Sequence, residues 1–322
     1  MTLLIRSAKK SVQKKLEKKL YRKKMLNKKS NLFPHAMAMY NVIVWGTTFI
    51  STKILLESLE PLEILIYRFV IGYVTLWCLK PQFFKWQGFK KEFAYFIAGL
   101  SGVTIYFLGE NISLTMTYTG NVSIIVSTAP LFTAICACLM TKTERPTKYF
   151  WGGFVLAIAG IAIINLGGTQ IDAAHIKGDL LALGAAAVWG IYCVVLNEHI
   201  GEGVPVIVRT RRIFFYGLLT MIPCVLLMKT EFHLESLLRP VNAGNILFLG
   251  IIATAGAYAT WNYAVAHLGV MKSSVYIYLI PVITIICSAI ILKEKITVGV
   301  VIGCLLTMAG LFLSEKKVKK NT

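Results

Sequence analysis

Apolar residues in this chain gather into runs of about 17–22, each long enough to cross a hydrocarbon layer of about 30 Å, with short polar stretches between them. In order, the runs predict ten membrane-spanning helices, near residues 36–55, 62–79, 93–114, 121–140, 149–166, 179–196, 206–228, 246–266, 273–292 and 296–313. Two-residue alternation is sparse and short, which argues against a membrane β-barrel. The expected fold class is an all-α polytopic membrane protein. Short connections predict antiparallel packing of neighbours in sequence. The seventh helix is the weakest expectation. Its unbroken apolar run, Ile213 to Met228, reaches span length only if Arg209, Arg211 and Arg212 snorkel to water at one edge.

The pattern is written twice. Trp45-Gly46, Pro61 and Arg68 recur as Trp189-Gly190, Pro205 and Arg212 at one offset of 144 residues. Gly99, Asn111, Ser123 and Pro130 recur at 151 as Gly250, Asn262, Ser274 and Pro281. Glu144, Thr147, Gly153 and Gly160 recur at 150 as Glu294, Thr297, Gly303 and Gly310. Ordered blocks at a near-constant offset predict an internal duplication. The expected organisation is a repeat over 35–168 and a second over 177–314, with basic segments 1–34 and 315–322 at the ends. Five helices per repeat is an odd number, so the second copy enters the membrane from the opposite face. An inverted repeat is an architecture of secondary transporters, whose site lies between the halves near the midplane.

Charge adds an orientation. The net charge of +19 is concentrated, with twelve Lys or Arg and a single acid among residues 1–30, and four Lys from Lys316 to Lys320. With the N-terminus inside, 27 basic residues fall on the inner side and five on the outer, which predicts both termini in the cytoplasm and a cytoplasmic (inner) membrane location. The basic ends read as anchors near anionic lipid; no aromatic or glycine pattern accompanies them, so nucleic acid is not an expected partner. All seven Cys fall in predicted spans and read as small buried hydrophobes. Cys136 and Cys138 lie about 200° apart on a helix, which does not suit a shared metal. The first apolar run is span-length and carries no clear cleavage site, so it reads as an uncleaved anchor.

Candidate chemistry sits inside the spans. Asn41, Trp45, Thr48 and Thr52 fall within about 60° on a helical wheel, a polar stripe that must face protein or water rather than lipid. It reads as one wall of a substrate cavity, with helix–helix hydrogen bonding as the alternative. Trp189, Tyr192 and Asn197 are the expected facing wall. Glu110 is the one carboxylate well inside a predicted span, a functional candidate by its position. Proton coupling, binding of a substrate amine and an ion pair with Arg68, at a matching depth, stay open as its roles. Tyr106, Tyr258, Trp261, Asn262, Tyr276 and Tyr278 add aromatic and amide surface, as cage or as packing. Pro130 and Pro281 sit mid-span, as hinges or static kinks. Gly153, Gly160, Gly303 and Gly310, with the Gly299-x-x-x-Gly303 pair, predict close helix packing, within a monomer or across a homodimer. A P-loop, a His-Glu-x-x-His and a Gly-x-Ser-x-Gly in a credible setting are all missing. No catalytic residue, metal or cofactor is expected, and any driving force must be a gradient, with protons a candidate coupling ion.

These residues resemble a known family. Trp45-Gly46-Thr47-Thr48-Phe49 resembles the Trp-Gly-x-x-Phe opening of EamA-type carriers in the drug/metabolite transporter superfamily, and Tyr67-Arg68-Phe69 resembles their second-helix arginine motif. Tyr118-Thr119, Pro130-Leu131-Phe132 and Thr143-Glu144-Arg145-Pro146-Thr147 resemble the end of the family repeat. Gly178-Asp179, Trp189-Gly190, Pro281 and Lys293-Glu294-Lys295 do the same in the second half. The resemblance runs from residue 36 to 314; the long basic segment before it departs from the compact family pattern. It implies two inverted five-helix repeats and alternating access to a central cavity. The expected function is a secondary active transporter, not an enzyme, moving a small solute such as an amino acid, as an exporter. Nucleotide sugars, purines or lipids are alternative cargoes; a membrane enzyme or sensor is the alternative outside transport.

Overall fold

The computed structural model describes residues 32–83, 85–141, 147–166, 173–200, 204–268 and 276–314. The regular elements among these are helices. We label them α1 (32–55), α2 (Pro61–Leu79), α3 (Phe89–Met116), α4 (Thr119–Met140), α5 (Lys148–Leu166), α6 (Ala173–Ile200), α7 (Val206–Met228), α8 (Pro240–Leu268), α9 (Ile280–Leu292) and α10 (Val298–Ser314). By length and composition, α2, α3, α4, α6, α7 and α8 meet the requirement for crossing a membrane, and Lys148–Ile164, Ile280–Leu292 and Val298–Ser314 are shorter apolar helices. The basic segment before residue 32, the tail from 315 and the Thr143–Pro146 stretch lie outside the described residues.

Local chemistry fixes several helix ends. At the start of α2, Pro61 follows Glu60, whose N–H donates to the Glu63 carboxylate at 3.2 Å; proline suits a first turn because that turn has no use for its missing donor. Gly88 precedes α3 at φ 91°, a left-handed value that favours glycine, and Glu92 accepts from the Gln87 N–H at 3.1 Å. That cap lets α3 begin at Phe89, earlier than the apolar run alone predicts. Similarly α8 begins at Pro240 rather than near 246.

Proline placement resolves the expected kinks into true breaks. In α4 a turn at 127–128 separates Thr119–Val126 from Ala129–Met140, so Pro130 lies in the first turn of the second piece. Pro281 does the same in α9, after a turn at 278–279. At the α4 break, Ser127 and Thr128 each donate a hydroxyl to the carbonyl three residues back, at 2.6 Å to Ile124 and to Ile125. Oxygens released by the broken ladder are thereby satisfied in the protein's own interior.

Two expectations are corrected. The arginines of α7 do not snorkel freely. Arg211 is buried, donating to the Lys80 and Gln82 carbonyls with its guanidinium 4.2 Å from the Trp77 ring centroid, and Arg212 donates Nε to Glu92 at 2.7 Å. Protein acceptors replace water there, which lets α7 start at Val206. Nor are all seven cysteines buried: Cys304 is, Cys78 is exposed and the other five are intermediate. Cys78 follows exposed Val70 and Val74 at a four-residue spacing, a stripe apolar enough to face lipid.

Packing between the two halves of the chain is reciprocal. A Cβ on Gly160 would lie 2.7 Å from the Gly303 carbonyl oxygen, and one on Gly303 would lie 2.6 Å from that of Gly160. Gly153 and Gly310 face each other likewise, so the glycine faces join α5 to α10 within one chain. Gly99 of α3 meets Gly217 of α7, while Gly250 of α8 meets the Arg68 carbonyl and Ile71 of α2. Gly46 of α1 meets Ile283 of α9, and Gly190 of α6 meets the Phe132 backbone of α4. The α3 and α8 partners of these contacts carry π-helical segments, Leu100–Ile105 and Phe248–Gly256.

Gly310→Val tests this packing. Its branched side chain would meet the Ala157 N and Cα at 2.6 and 3.0 Å from Cβ, and overpacking of this kind costs about 1–3 kcal/mol. Thermal unfolding in detergent is expected to shift down by several degrees. Gly184→Ala, where a Cβ meets nothing within 4 Å, is expected to leave the transition unchanged or raise it.

Candidate functional site

Where the halves meet, α2 and α3 bring a cation and an anion into the interior. Arg68 and Glu110 are each 3% exposed. Among the described residues no ion pair within 4 Å joins them, and Tyr106 precedes Glu110 by about one turn of α3. Arg68 directs its Nε to the Thr254 hydroxyl of α8 at 2.8 Å, a bond within the buried interior. Its Cζ lies 4.4 Å from the Phe107 ring centroid and 5.7 Å from that of Phe69. Phe69 contacts Phe107 at 5.2 Å and Phe214 at 4.9 Å, both edge-on, and Phe214 continues to Tyr258 at 5.5 Å. The guanidinium therefore sits on aromatic faces, which attract a cation electrostatically.

A second aromatic line continues from Glu110. Tyr106 lies 4.6 Å from Trp189, which lies 4.7 Å from Tyr192. Gly102, one turn before Tyr106, leaves space that the Tyr192 ring fills. Trp189 and Tyr192 of α6 therefore meet α3, whereas the α1 stripe expected to face them packs on α8. Asn197 is exposed beside Glu198 at the far end of α6, apart from Trp189 and Tyr192.

The polar stripe of α1 meets α8. Asn41 exchanges hydrogen bonds with Thr260 at 3.0 and 3.2 Å, Trp45 donates Nε1 to the Ala253 carbonyl at 3.3 Å, and its ring lies 5.0 Å from Trp261. Thr48 turns its hydroxyl back to the Trp45 carbonyl at 2.7 Å. Asn111 is buried and donates to the Pro61 carbonyl at 3.0 Å, tying α3 to the start of α2. The side chain of its counterpart, Asn262, lies outside the described residues. Tyr278 is placed elsewhere: it is fully buried with Leu131, Phe150 and Leu311, and contacts Phe312 at 5.2 Å.

The two related arginines have different partners. Arg212 has a carboxylate of its own, Glu92, which also accepts from the Tyr216 hydroxyl at 2.8 Å. Arg68 has a neutral hydroxyl and a more distant charge. Thr254 and Thr260 were not singled out by sequence; at the 151-residue offset of their block they answer to Val103 and Gly109, which carry no hydroxyl. At the loop ends of the same helices, Lys53 donates to the Leu114 carbonyl and to that of Thr117 at 3.4 Å, while Glu294 accepts from Thr119 N–H at 3.0 Å. A cation at the end of α3 and an anion at the start of α4 both suit the helix dipoles. Among the described residues no cluster of three or more His, Cys, Asp or Glu is arranged to hold a metal.

Comparison with known proteins supplies the family. A profile described as the EamA-like transporter family matches residues 32–166 and again 176–315. An uncharacterized transporter of Archaeoglobus fulgidus is 27% identical over 298 residues, covering 88% of this chain and 97% of its own. A probable terminal-alkyne amino-acid exporter of Streptantibioticus cattleyicolor is 25% identical over 222 residues, covering 69% and 72%. A solved crystal structure superposes with a TM-score of 0.60 at 15% identity, covering 87% of this chain and 95% of that one.

Arg68 and Glu110 should prove energetically coupled. Arg68→Met and Glu110→Gln are each expected to lower unfolding stability, and the double variant to lose less than the sum. The expected coupling is about 1–3 kcal/mol in a double-mutant cycle followed by thermal unfolding in detergent. Additive losses would mean that the two charges act independently.

Proposed function

The chain belongs to the EamA-like transporter family, and from that premise we propose a secondary carrier that exports a small organic solute, an amino acid or a close relative, by alternating access. The observation that carries this reading is the burial of two opposite charges, Arg68 and Glu110, in an aromatic interior that holds Tyr106, Trp189, Tyr192 and Tyr258, with Arg68 bonded across the halves to Thr254. Charge within a membrane protein's interior is costly and belongs to solute or ion paths. Opposite charges set among aromatic rings suit a compact zwitterion better than a sugar or a purine, and a nucleotide would call for more cations than one. The relative named as an amino-acid exporter points the same way.

The repeats 35–168 and 177–314 are read as inverted copies of five spans each, with both termini in the cytoplasm and the inner membrane as the location. The exchange of contacts between α1–α9 and α6–α4, and between α2–α8 and α3–α7, supports a two-fold relation of the halves. In this mechanism α1, α3, α6 and α8 line the solute path, α4 and α9 move, and the breaks before Pro130 and Pro281 are the hinges. Glu110 either exchanges a proton or binds the ammonium of the solute. The carrier works as a monomer or a homodimer in lipid, without a cofactor.

A counterflow screen in proteoliposomes, with pooled amino acids, purines and sugars and with or without a proton gradient, tests the proposal. Labelled amino acids are expected to accumulate. Glu110→Gln is expected to reduce that exchange about tenfold or to abolish its response to pH, the effect of removing a buried charged partner. Wild-type uptake by the variant at every pH would remove Glu110 from coupling, and a purine or sugar hit would replace the amino acid.

A further inference from the structure

We infer that Thr254 is a positioning residue that aims Arg68 so that the guanidinium's terminal nitrogens recognise the carboxylate of the solute. This rests on the carrier reading above and names which half of the zwitterion Arg68 reads. Three observations carry it. First, Thr254 and Arg68 come from different halves of the chain, and their bond, Nε to Oγ1 at 2.8 Å, lies within the buried interior, with Thr254 0% exposed. Second, the close approach that permits the bond is built in. Thr254 Cγ2 lies 2.9 Å from where a Cβ on Gly72 would stand, and Gly250 leaves the Arg68 carbonyl 3.2 Å from its own missing Cβ. The π-helical segment Phe248–Gly256 carries Thr254 on that face, and such segments recur at functional sites. Third, the related position does something else. At the 151-residue offset of this block Thr254 answers to Val103, which meets Gly217 as Thr254 meets Gly72 but has no hydroxyl, while Arg212 is neutralised by Glu92.

Arginine carries five N–H donors in a planar fork that matches a carboxylate along its edges. With Nε held by Thr254 and the flat face on Phe107, the donors left for a solute are the four on the terminal nitrogens. A hydroxyl holds the side chain without cancelling its charge, as a carboxylate does for Arg212. Glu110 is the buried carboxylate on the neighbouring helix, and Tyr106 and Tyr258 are neutral phenols. A zwitterion between the two charges would place its carboxylate on Arg68 and its ammonium on Glu110, so that each buried charge gains a partner and neither end remains uncompensated.

Thr254→Val keeps the shape and removes the hydroxyl; Thr254→Ser keeps the hydroxyl. Counterflow is measured in proteoliposomes for the amino acid that the wild type moves best and for its carboxamide, in which the carboxylate is neutral. The wild type is expected to prefer the acid. Thr254→Val is expected to raise half-saturation for the acid about tenfold, the loss of one hydrogen bond to a charged group, while maximal rate and affinity for the amide stay near wild type. Thr254→Ser is expected to restore the preference. A Thr254→Val carrier that keeps its preference for the acid, or that loses maximal rate equally for acid and amide, or a wild type that moves both alike, would overturn the inference and leave the carrier intact. A wild type that moves no amino acid at all would overturn both. Should Thr254→Val fail to insert, Thr254→Ala, which also removes the hydroxyl, decides: a residue that serves packing alone would show a lowered melting temperature with an unchanged ratio of acid to amide, and a positioning residue a lost preference for the acid.

Discussion

Within a bilayer an unpaired polar group has no water to turn to, and every carbonyl, hydroxyl or charge must find its partner inside the protein. The fold follows from how this chain meets that demand. Serine and threonine hydroxyls mostly return to the carbonyl three or four residues back. The groups that cannot be satisfied locally reach across the molecule: Asn41 to Thr260, Arg68 to Thr254, Arg211 to the Lys80–Gln82 backbone, Thr104 to α7. Nearly all of these long-range bonds join the first half of the chain to the second. Polar satisfaction and the assembly of the halves are one requirement.

Reaching across is possible only where helices come close, and glycine sets the places. Gly72 with Gly250, Gly99 with Gly217, Gly153 with Gly310 and Gly160 with Gly303 remove the side chains that would hold helix axes apart. Hydrophobic attraction supplies little force between helices in lipid, so dispersion across these contacts and the bonds beside them hold the bundle. The interior built in this way is aromatic around the two charges, and a separate cluster at α5 and α10 mixes aliphatic side chains with Phe150, Phe154 and Tyr278.

Much of this was legible in the sequence. Apolar run length gave most helices to within a few residues, because a hydrocarbon slab imposes a length. The starts of α3 and α8 were missed because caps and interfacial residues lengthen a helix without adding to its apolar run. Arg68 and Glu110 were legible as interior charges, since each lies within an apolar run, and both are buried. Thr254 was not. A threonine in an apolar helix usually bonds its own backbone, and a π turn inserts a residue that rotates everything beyond it by about 100°, so a regular helical wheel past residue 248 assigns faces wrongly. The same irregular geometry, with the break before Pro281, separates Tyr278 from the aromatic group to which simple spacing assigns it and buries it against Phe312.

The hydroxyls at the break in α4 have a mechanical consequence. A bend in a lipid-embedded helix ordinarily strips carbonyl oxygens of their donors, and the bent form is penalised in proportion to the number left bare. Ser127 and Thr128 travel with the two oxygens they serve, one swivelling bond away, so those bonds can persist as the angle between the two pieces changes. A bend at this joint therefore leaves these two oxygens with donors of their own. Both joints keep a backbone bond, Thr128 N–H to the Ile125 carbonyl and Leu279 N–H to that of Tyr276, and the α4 joint adds the two hydroxyls. The two joints, alike in their backbone bonds, differ in the hydroxyls that supply their carbonyls.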